Sequence, residues 1–177
     1  MIVERLTSPS TPVVSPAHLS EQARVTDAVQ EAELVRMAVA VAVELEHYAQ
    51  IALLDQTIRV TLECWPRADT LPLPIAPVVD ALSVNVTADG VAYDAFAVVT
   101  GLRPSIRKTG DRPTGVVVIE YQAGFGSVAS DVPPDLAHAI LDQAAALFDM
   151  RGTEGGKVNG MSAHMQRIAA RYRRVAL

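Results

Sequence analysis

Two pairs of side chains in this chain combine a carboxylate with an imidazole at helical spacing. They are Glu44 with His47 and Asp135 with His138, each three residues apart. Such pairs can bind a transition metal, and two facing pairs supply half of a di-metal carboxylate site. The other half needs carboxylates from two further helices, whereas the sequence offers only two long helical segments. A small metal-binding enzyme using these four residues is therefore the alternative hypothesis and not the leading one.

Two glycine-containing segments partly match known phosphate-binding and dinucleotide-binding motifs. The segment GTEGGK, residues 152–157, lacks the spacing of a phosphate-binding loop and has no Ser or Thr after its lysine. The segment AGFG, residues 123–126, has only two of the glycines of a dinucleotide fingerprint. The sequence therefore predicts no catalytic residue, no cofactor and no metal ligand set, and it favours a protein that is not an enzyme.

Composition limits the class of protein further. The chain has 177 residues, of which 50% are hydrophobic but only 5% aromatic, and it contains one cysteine, Cys64. That length suits one domain with a sizeable core plus tails, and a single cysteine excludes an internal disulfide framework. The start of the chain has no signal-peptide pattern. The apolar run Met37–Val43 is too short to cross a membrane, so no membrane association is predicted.

Charge is distributed unevenly along the chain. Residues 1–150 contain 9 Lys and Arg against 19 Asp and Glu, whereas residues 151–177 contain 6 against 1. An acidic body does not favour nucleic-acid binding. A basic C-terminal segment on an acidic body indicates either a separate partner for that segment or a solvated charged terminus.

Helix-start signals predict three helices before residue 152. Ser15-Pro16 predicts a short helix over Pro16–Ala23, and Thr26-Asp27 predicts the longest helix, Asp27–Leu53. Pro133-Pro134-Asp135 predicts a third helix, Pro134–Arg151. Between Ala38 and Val43 the long helix is apolar all round, so we expect a neighbouring subunit to cover the face that its own sheet leaves open.

Residues 57–121 have the alternation and turn signals of β-structure. Asp89-Gly90 predicts a hairpin, and the proline-dense residues 66–77 predict an extended crossing. The strands are predicted at Thr57–Glu63, Val79–Thr87, Val91–Val99, Arg103–Lys108 and Val116–Tyr121. The predicted fold is α+β, with the long N-terminal helix and the C-terminal-half helix packed with a small, mainly antiparallel sheet.

Both ends of the chain are predicted to be arms outside a folded domain of residues 15–151. Residues 1–14 have no periodicity and predict a flexible or extended N-terminal arm. Residues 152–177 predict a glycine-tethered basic arm whose helix, from Met161 on, has a narrow apolar stripe. We expect this arm to become ordered only against a partner. Its candidate binding residues are Met165, Arg167, Ile168, Arg171, Tyr172, Arg173 and Arg174.

The order of several motifs resembles a known family. A strand ends in Tyr121-x-Ala-Gly-Phe-Gly126, a polar loop leads to Val132-Pro133, and a helix begins Leu136-x-x-Ala-Ile140. Upstream come Asp55-Gln-Thr, Cys64-Trp-Pro, Leu71-Pro-Leu-Pro and the Asp89-Gly90 hairpin. Over residues 27–151 this order is similar to the phage head–tail connector, or adaptor, proteins, which prophages and gene transfer agents also carry.

That resemblance implies a structural virion protein. It implies a cyclic homo-oligomer of twelve subunits at the head–tail junction, assembled in the bacterial cytoplasm, with the portal protein and tail stopper or tail tube proteins as partners. DNA would pass through the ring without specific binding. Residues 15–151 would be the connector domain, and the C-terminal arm would bind the portal. The candidate ring interface consists of Val39, Val43, Ala139 and Gln143.

Overall fold

The computed structural model describes residues 1–9, 11–150 and 160–173. It confirms the α+β class with antiparallel sheets. The chain forms two compact units, each built from two separate stretches of sequence. We call them the sheet unit, Met1–Pro9 with Asp55–Phe125, and the helical unit, Ser10–Leu54 with Gly126–Leu177.

Four α-helices make up the described part of the helical unit. They are α1 (Pro16–Ala23), α2 (Ala28–Ala49), α3 (Pro134–Met150) and α4 (Ala163–Tyr172). A single 3-10 turn, Ala129–Asp131, precedes α3. The prediction for α1 is confirmed residue for residue, because Ser15-Pro16 is a strong local start signal. No helix within the described ranges is long and apolar enough to span a membrane.

Helix α2 is shorter at its C-terminal end than the sequence predicts. It begins where the Asp27 carboxylate accepts a hydrogen bond from the backbone N–H of Val29 at 2.9 Å. It ends at Ala49, and the next residue, Gln50, has a left-handed backbone with φ 56° that terminates the helix. The following residues 51–54 are apolar and fully buried, and their burial outside the helix overrides the helical pattern. The Glu46 carboxylate accepts from the backbone N–H of Leu53 at 2.7 Å, which satisfies a donor beyond the helix end.

The core of the helical unit is formed by the inward faces of all four helices. Helix α2 contributes residues at steps of three and four, including Leu34, Ala38, Val41 and Leu45. The buried side chains of the other helices have the same spacing and are Leu19 from α1, Leu136, Ala139, Ile140, Ala144 and Phe148 from α3, and Met165, Ile168 and Ala169 from α4. Because α4 contributes to this core, it belongs to the folded subunit.

The described part of the sheet unit contains two antiparallel sheets. The larger has the strand order β1-β2-β8-β4-β5, and the smaller has the order β3-β7-β6. The strands are β1 (Ile2–Arg5), β2 (Gln56–Leu62), β3 (Thr70–Pro72), β4 (Asn85–Ala88), β5 (Val91–Ala92), β6 (Phe96–Val99), β7 (Ser105–Lys108) and β8 (Val117–Ala123). The Asp89-Gly90 turn joins β4 to β5 with positive φ at both residues, as a two-residue hairpin requires.

The central pair β2 and β8 explains the predicted alternation. Ile58 lies opposite Tyr121 and Val60 lies opposite Ile119, and all four side chains are buried. On the other face of the same pair, Arg59 forms an ion pair with Glu120 at 2.6 Å. One apolar and one polar face therefore fix the register of this sheet, since a shift by one residue would reverse them.

Two predicted strands are wrong in their extent. The stretch predicted as Val91–Val99 is divided between β5 and β6, which belong to different sheets. The stretch predicted as Val79–Thr87 contains the 3-10 turn Ala81–Ser83 before β4, and the Asp80 carboxylate accepts from the N–H of Leu82 at 2.8 Å. Local side-chain hydrogen bonds of this kind compete with strand pairing and end a run of strand-forming residues.

The N-terminal arm contains an edge strand. The sequence predicts residues 1–14 as a flexible or extended arm, and Ile2–Arg5 is extended as β1, paired antiparallel with β2. The N–H of Leu6 continues this pairing by donating to the carbonyl of Thr57 at 2.8 Å. Val14, near the other end of the arm, is buried. Ile2–Arg5 therefore adopts the extended form that the prediction allowed, and the residues of the predicted arm are parts of the two compact units.

Candidate assembly surfaces

The outward face of α2 carries an apolar stripe at coiled-coil spacing. Val29, Val39 and Val43 are 77%, 49% and 46% exposed, and Ala32 is exposed between them. With Arg36, these positions recur at steps of three and four, which is the spacing of a seam that packs against another helix. We call Val29, Ala32, Val39 and Val43 the valine stripe. The exposed face of α2 therefore has an apolar surface that a partner can cover.

The other two predicted interface residues lie in the interior. Ala139 is 1% exposed, and Gln143 is buried as well. The Gln143 side-chain oxygen accepts a hydrogen bond from the backbone N–H of Ser162 at 2.9 Å, so it joins α3 to the start of α4. Both residues hold the subunit together, and their assignment to a surface between subunits is corrected. The sequence pattern indicated an interface because Gln143 is a polar residue on an apolar helix face. Such a residue can instead be buried with a backbone partner that is distant in sequence.

The prediction that the C-terminal helix is free in the isolated subunit is also wrong. Met165, Ile168 and Ala169 are buried in the core of the helical unit. The Ser162 hydroxyl accepts from the N–H of Met165 at 3.2 Å and caps the helix. A helix of 10 residues is marginal on its own. Packing of these side chains is thus what stabilises α4, and Met165 and Ile168 are not available to a partner.

Polar contacts hold the last turn of α4. The Tyr172 hydroxyl donates to the Asp135 carboxylate at 2.7 Å, and the Arg171 guanidinium lies 3.6 Å from the same carboxylate. Partial burial, together with that hydrogen bond, raises the pKa of Tyr172 to about 12. The Arg173 guanidinium lies 5.3 Å from the centre of the Tyr48 ring. Three predicted arm residues therefore have partners within their own unit.

Arg167 and Arg171 give the outer side of α4 a basic surface. Both residues are exposed. Arg171 pairs weakly with Asp135 because its side chain is 62% exposed and the distance is long. Arg174, the remaining predicted arm residue, lies outside the described residues. The part of the predicted portal-binding surface that stays accessible is thus its charged side.

The two carboxylate–histidine pairs of the sequence do not meet in one site. Among the described residues, the group that could hold a metal ion is His138 with Asp142 and His164, and it includes none of Glu44, His47 or Asp135. Asp135 is engaged with Tyr172 as described above. The hypothesis of an enzyme built on the four predicted residues is therefore not supported by their placement.

Neighbouring atoms leave no room for a side chain at either glycine of the AGFG segment. A Cβ on Gly124, whose φ is +155°, would lie 2.5 Å from the backbone nitrogen of Asp55. A Cβ on Gly126 would lie 2.2 Å from a carboxylate oxygen of Asp131. The Asp131 carboxylate needs that space because it accepts from the N–H of Val128 at 3.2 Å. The AGFG segment, one of several motifs that carry the family resemblance, thus owes its glycines to two close approaches within the fold.

Sequence reasoning missed two residues that the fold brings beside His138. Asp142 follows it by one helical turn on α3, and its carboxylate lies 3.4 Å from the imidazole. His164 comes from α4, and the two imidazole rings are 6.2 Å apart in an edge-on arrangement. The spacing of four residues between His138 and Asp142 is visible in the sequence. The approach of His164 is not, because it depends on the return of α4 to α3.

No protein-family model matches this chain, and no curated protein is significantly similar to it. Solved structures, in contrast, contain chains of the same fold over the full length. One is in the virion of a native gene transfer agent particle, with 24% sequence identity and a TM-score of 0.81. A second is in the neck of an empty particle computed with C6 symmetry, with 26% identity and a TM-score of 0.79. A third is in the neck of a native particle computed with C12 symmetry, with 24% identity and a TM-score of 0.72. Each match covers 100% of this chain and 97% of the other.

Proposed function

We propose that this chain is a non-enzymatic structural subunit of the head–tail junction of a phage-like particle, in particular a head-to-tail adaptor. Copies of the chain form a ring between the portal and the tail, and DNA passes through it. The observation that carries the proposal is the full-length match to a chain in the neck of a gene transfer agent particle at 26% identity. The match covers both compact units, so it does not depend on one common supersecondary motif.

Cyclic assembly has support from two directions. The similar neck structures were computed with C6 and C12 symmetry, and both symmetries are compatible with a ring of twelve copies. A closed ring needs a surface on each subunit that its neighbour covers with a different surface. The valine stripe of α2 supplies one such surface, since it is apolar, exposed and spaced for helix packing. On the sheet unit, Val79 and Leu82 are the apolar side chains most exposed to a partner.

The ring must let DNA pass. The chain has a formal net charge of −5 at pH 7, and the acidic residues lie in the body of the chain. Cationic walls bind phosphates in proportion to the number of their contacts, and an acidic wall avoids that retention. An acidic body therefore suits transit without specific binding.

The basic side of α4 is the surface that binds the portal. Arg167 and Arg171 are exposed guanidinium groups that can form paired hydrogen bonds with carboxylates of a partner. Replacing both with Gln should leave the chain folded and cost at most about 1 kcal/mol, because both side chains are exposed and exposed polar contacts contribute little. Particles that carry the double variant should lose tails or release DNA. Normal attachment of the double variant would remove this role from α4.

Introducing a negative charge into the valine stripe tests whether it is the ring interface. Val39→Asp and Val43→Asp should each give a folded subunit that fails to enter particle necks, because a carboxylate would be desolvated at an apolar seam. The matched control is Gln30→Asp, which adds the same charge at an exposed position on another side of α2. Circular dichroism of the purified variants checks the fold, and mass spectrometry of purified particles measures incorporation. Incorporation of both valine variants at the level of the control would contradict this interface.

A further inference from the structure

We propose that His138, Asp142 and His164 form a binding site for one divalent transition-metal ion that joins α3 to α4. His138 and Asp142 lie one turn apart on α3, and His164 lies near the start of α4. One ligand atom from each residue lies within 4.8 Å of the other two. All three residues belong to the helical unit.

The distances fit a site that tightens when the ion enters. Zinc binds imidazole nitrogen at about 2.0–2.1 Å, so two ligands on a tetrahedral ion are roughly 3.3 Å apart. The His138 imidazole and the Asp142 carboxylate are already 3.4 Å apart. Because the His138 side chain is 59% exposed, it can rotate to complete the approach without moving the helix.

His164 provides the observation that points to a ligand. Its Nε2 is buried, and among the described residues no group forms a hydrogen bond with it. Its Nδ1 lies 3.3 Å from the Arg167 guanidinium, which can only donate. In that arrangement Nδ1 accepts and the proton is on Nε2, where it has no partner. A metal ion at Nε2 moves the proton to Nδ1, and the exposed Arg167 side chain then turns into solvent.

The donor set selects the class of ion. Two imidazoles and one carboxylate suit Zn²⁺, Co²⁺ or Ni²⁺, whereas Mg²⁺ and Ca²⁺ prefer oxygen ligands alone. The carboxylate of Asp142 has a second contact, in which its Oδ1 accepts a hydrogen bond from the side-chain amide of Gln22 in α1 at 3.2 Å, while its Oδ2 is the oxygen near His138. Such outer contacts orient a ligating carboxylate. The ion adds a link between α3 and α4, while the buried Met165 and Ile168 keep α4 in place without it.

Binding is measured on the full chain after removal of metal with a chelator. Titration with Zn²⁺ by calorimetry should give one ion per chain, and Co²⁺ should give visible absorption bands of a low-coordinate site. His164→Gln and Asp142→Asn should each lower the affinity about tenfold or more, since even outer-shell changes cost that much. The control is His47→Gln, an exposed histidine on α2 outside the trio, which should bind as the unchanged chain does.

Two further readouts separate a metal site from a surface ion pair. Zn²⁺ should slow amide exchange within α4 in the unchanged chain and have no such effect in His164→Gln. Arg167→Gln should bind Zn²⁺ more tightly, because a positive charge beside the ion is removed. Absence of saturable binding of either ion, or binding that is unchanged in both His164→Gln and Asp142→Asn, would overturn the proposal. Weaker binding by Arg167→Gln would contradict Nε2 as the ligand atom.

Discussion

The packing of α4 on its own subunit leads to a quantitative prediction for Met165. The side chain is 0% exposed, and α4 buries only two other apolar residues, Ile168 and Ala169. Replacing a buried methionine with alanine costs about 2–5 kcal/mol through lost burial and the cavity that remains. At the lower end, about 2–3 kcal/mol, the population of states with α4 detached rises about 30- to 150-fold. Met165→Ala should therefore loosen α4 before the rest of the unit unfolds.

Hydrogen exchange followed by mass spectrometry measures this effect directly. Peptides that cover residues 163–172 should exchange about 30- to 150-fold faster in Met165→Ala than in the unchanged chain, while peptides from α2 change little. Ala170→Ser is the matched control, because Ala170 is exposed on the same helix and this small change should cost within about 0.5 kcal/mol. Fast exchange of α4 in the unchanged protein, with no further effect of Met165→Ala, would refute the packing argument and restore the free arm.

Three further predictions concern stability. Tyr121→Phe should cost about 1–3 kcal/mol in urea unfolding, because the buried hydroxyl bonds both backbone groups of Ile75 and both would lose their partner. Gly124→Ala should destabilise by about 1–3 kcal/mol through a backbone clash, and clearly more than Gly90→Ala, where no atom lies within 4 Å of the added methyl group. The contact of Tyr172 stabilises the fold below the ordinary tyrosine pKa of about 10, and this contribution is lost as pH rises towards about 12. Unfolding at pH 8 and pH 11 should thus show a larger loss for the unchanged chain than for Tyr172→Phe, and equal losses would contradict the contact.

Features with a strong local cause could be predicted from the sequence. The start of α1 depends on the proline at its first position, and the start of α2 depends on the Asp27 side-chain cap. The alternation of β2 is set by one buried face, and the hairpin at Asp89-Gly90 needs only its own two residues. Each of these signals comes from residues within a single helix, strand or turn, and tertiary packing does not override it here.

Features that depend on distant partners could not be predicted in the same way. Nothing near Gln143 indicates that its side chain accepts from the backbone of Ser162, 19 residues away. The narrow apolar stripe of α4 does not by itself predict a packed helix, whereas Met165 and Ile168 are buried in the core. The same return of α4 brings His164 to His138, so the cluster of His138, Asp142 and His164 could not be predicted from the sequence either.

The central claim is that this chain forms a ring at the head–tail junction. The most direct test is a cryo-microscopy reconstruction of the neck of the native particle that carries the chain, refined without imposed symmetry. The proposal predicts a closed ring of this chain between portal and tail, with the valine stripe of each α2 covered by the next subunit. Density for the chain outside the neck, or a ring in which Val39 and Val43 face solvent, would contradict it.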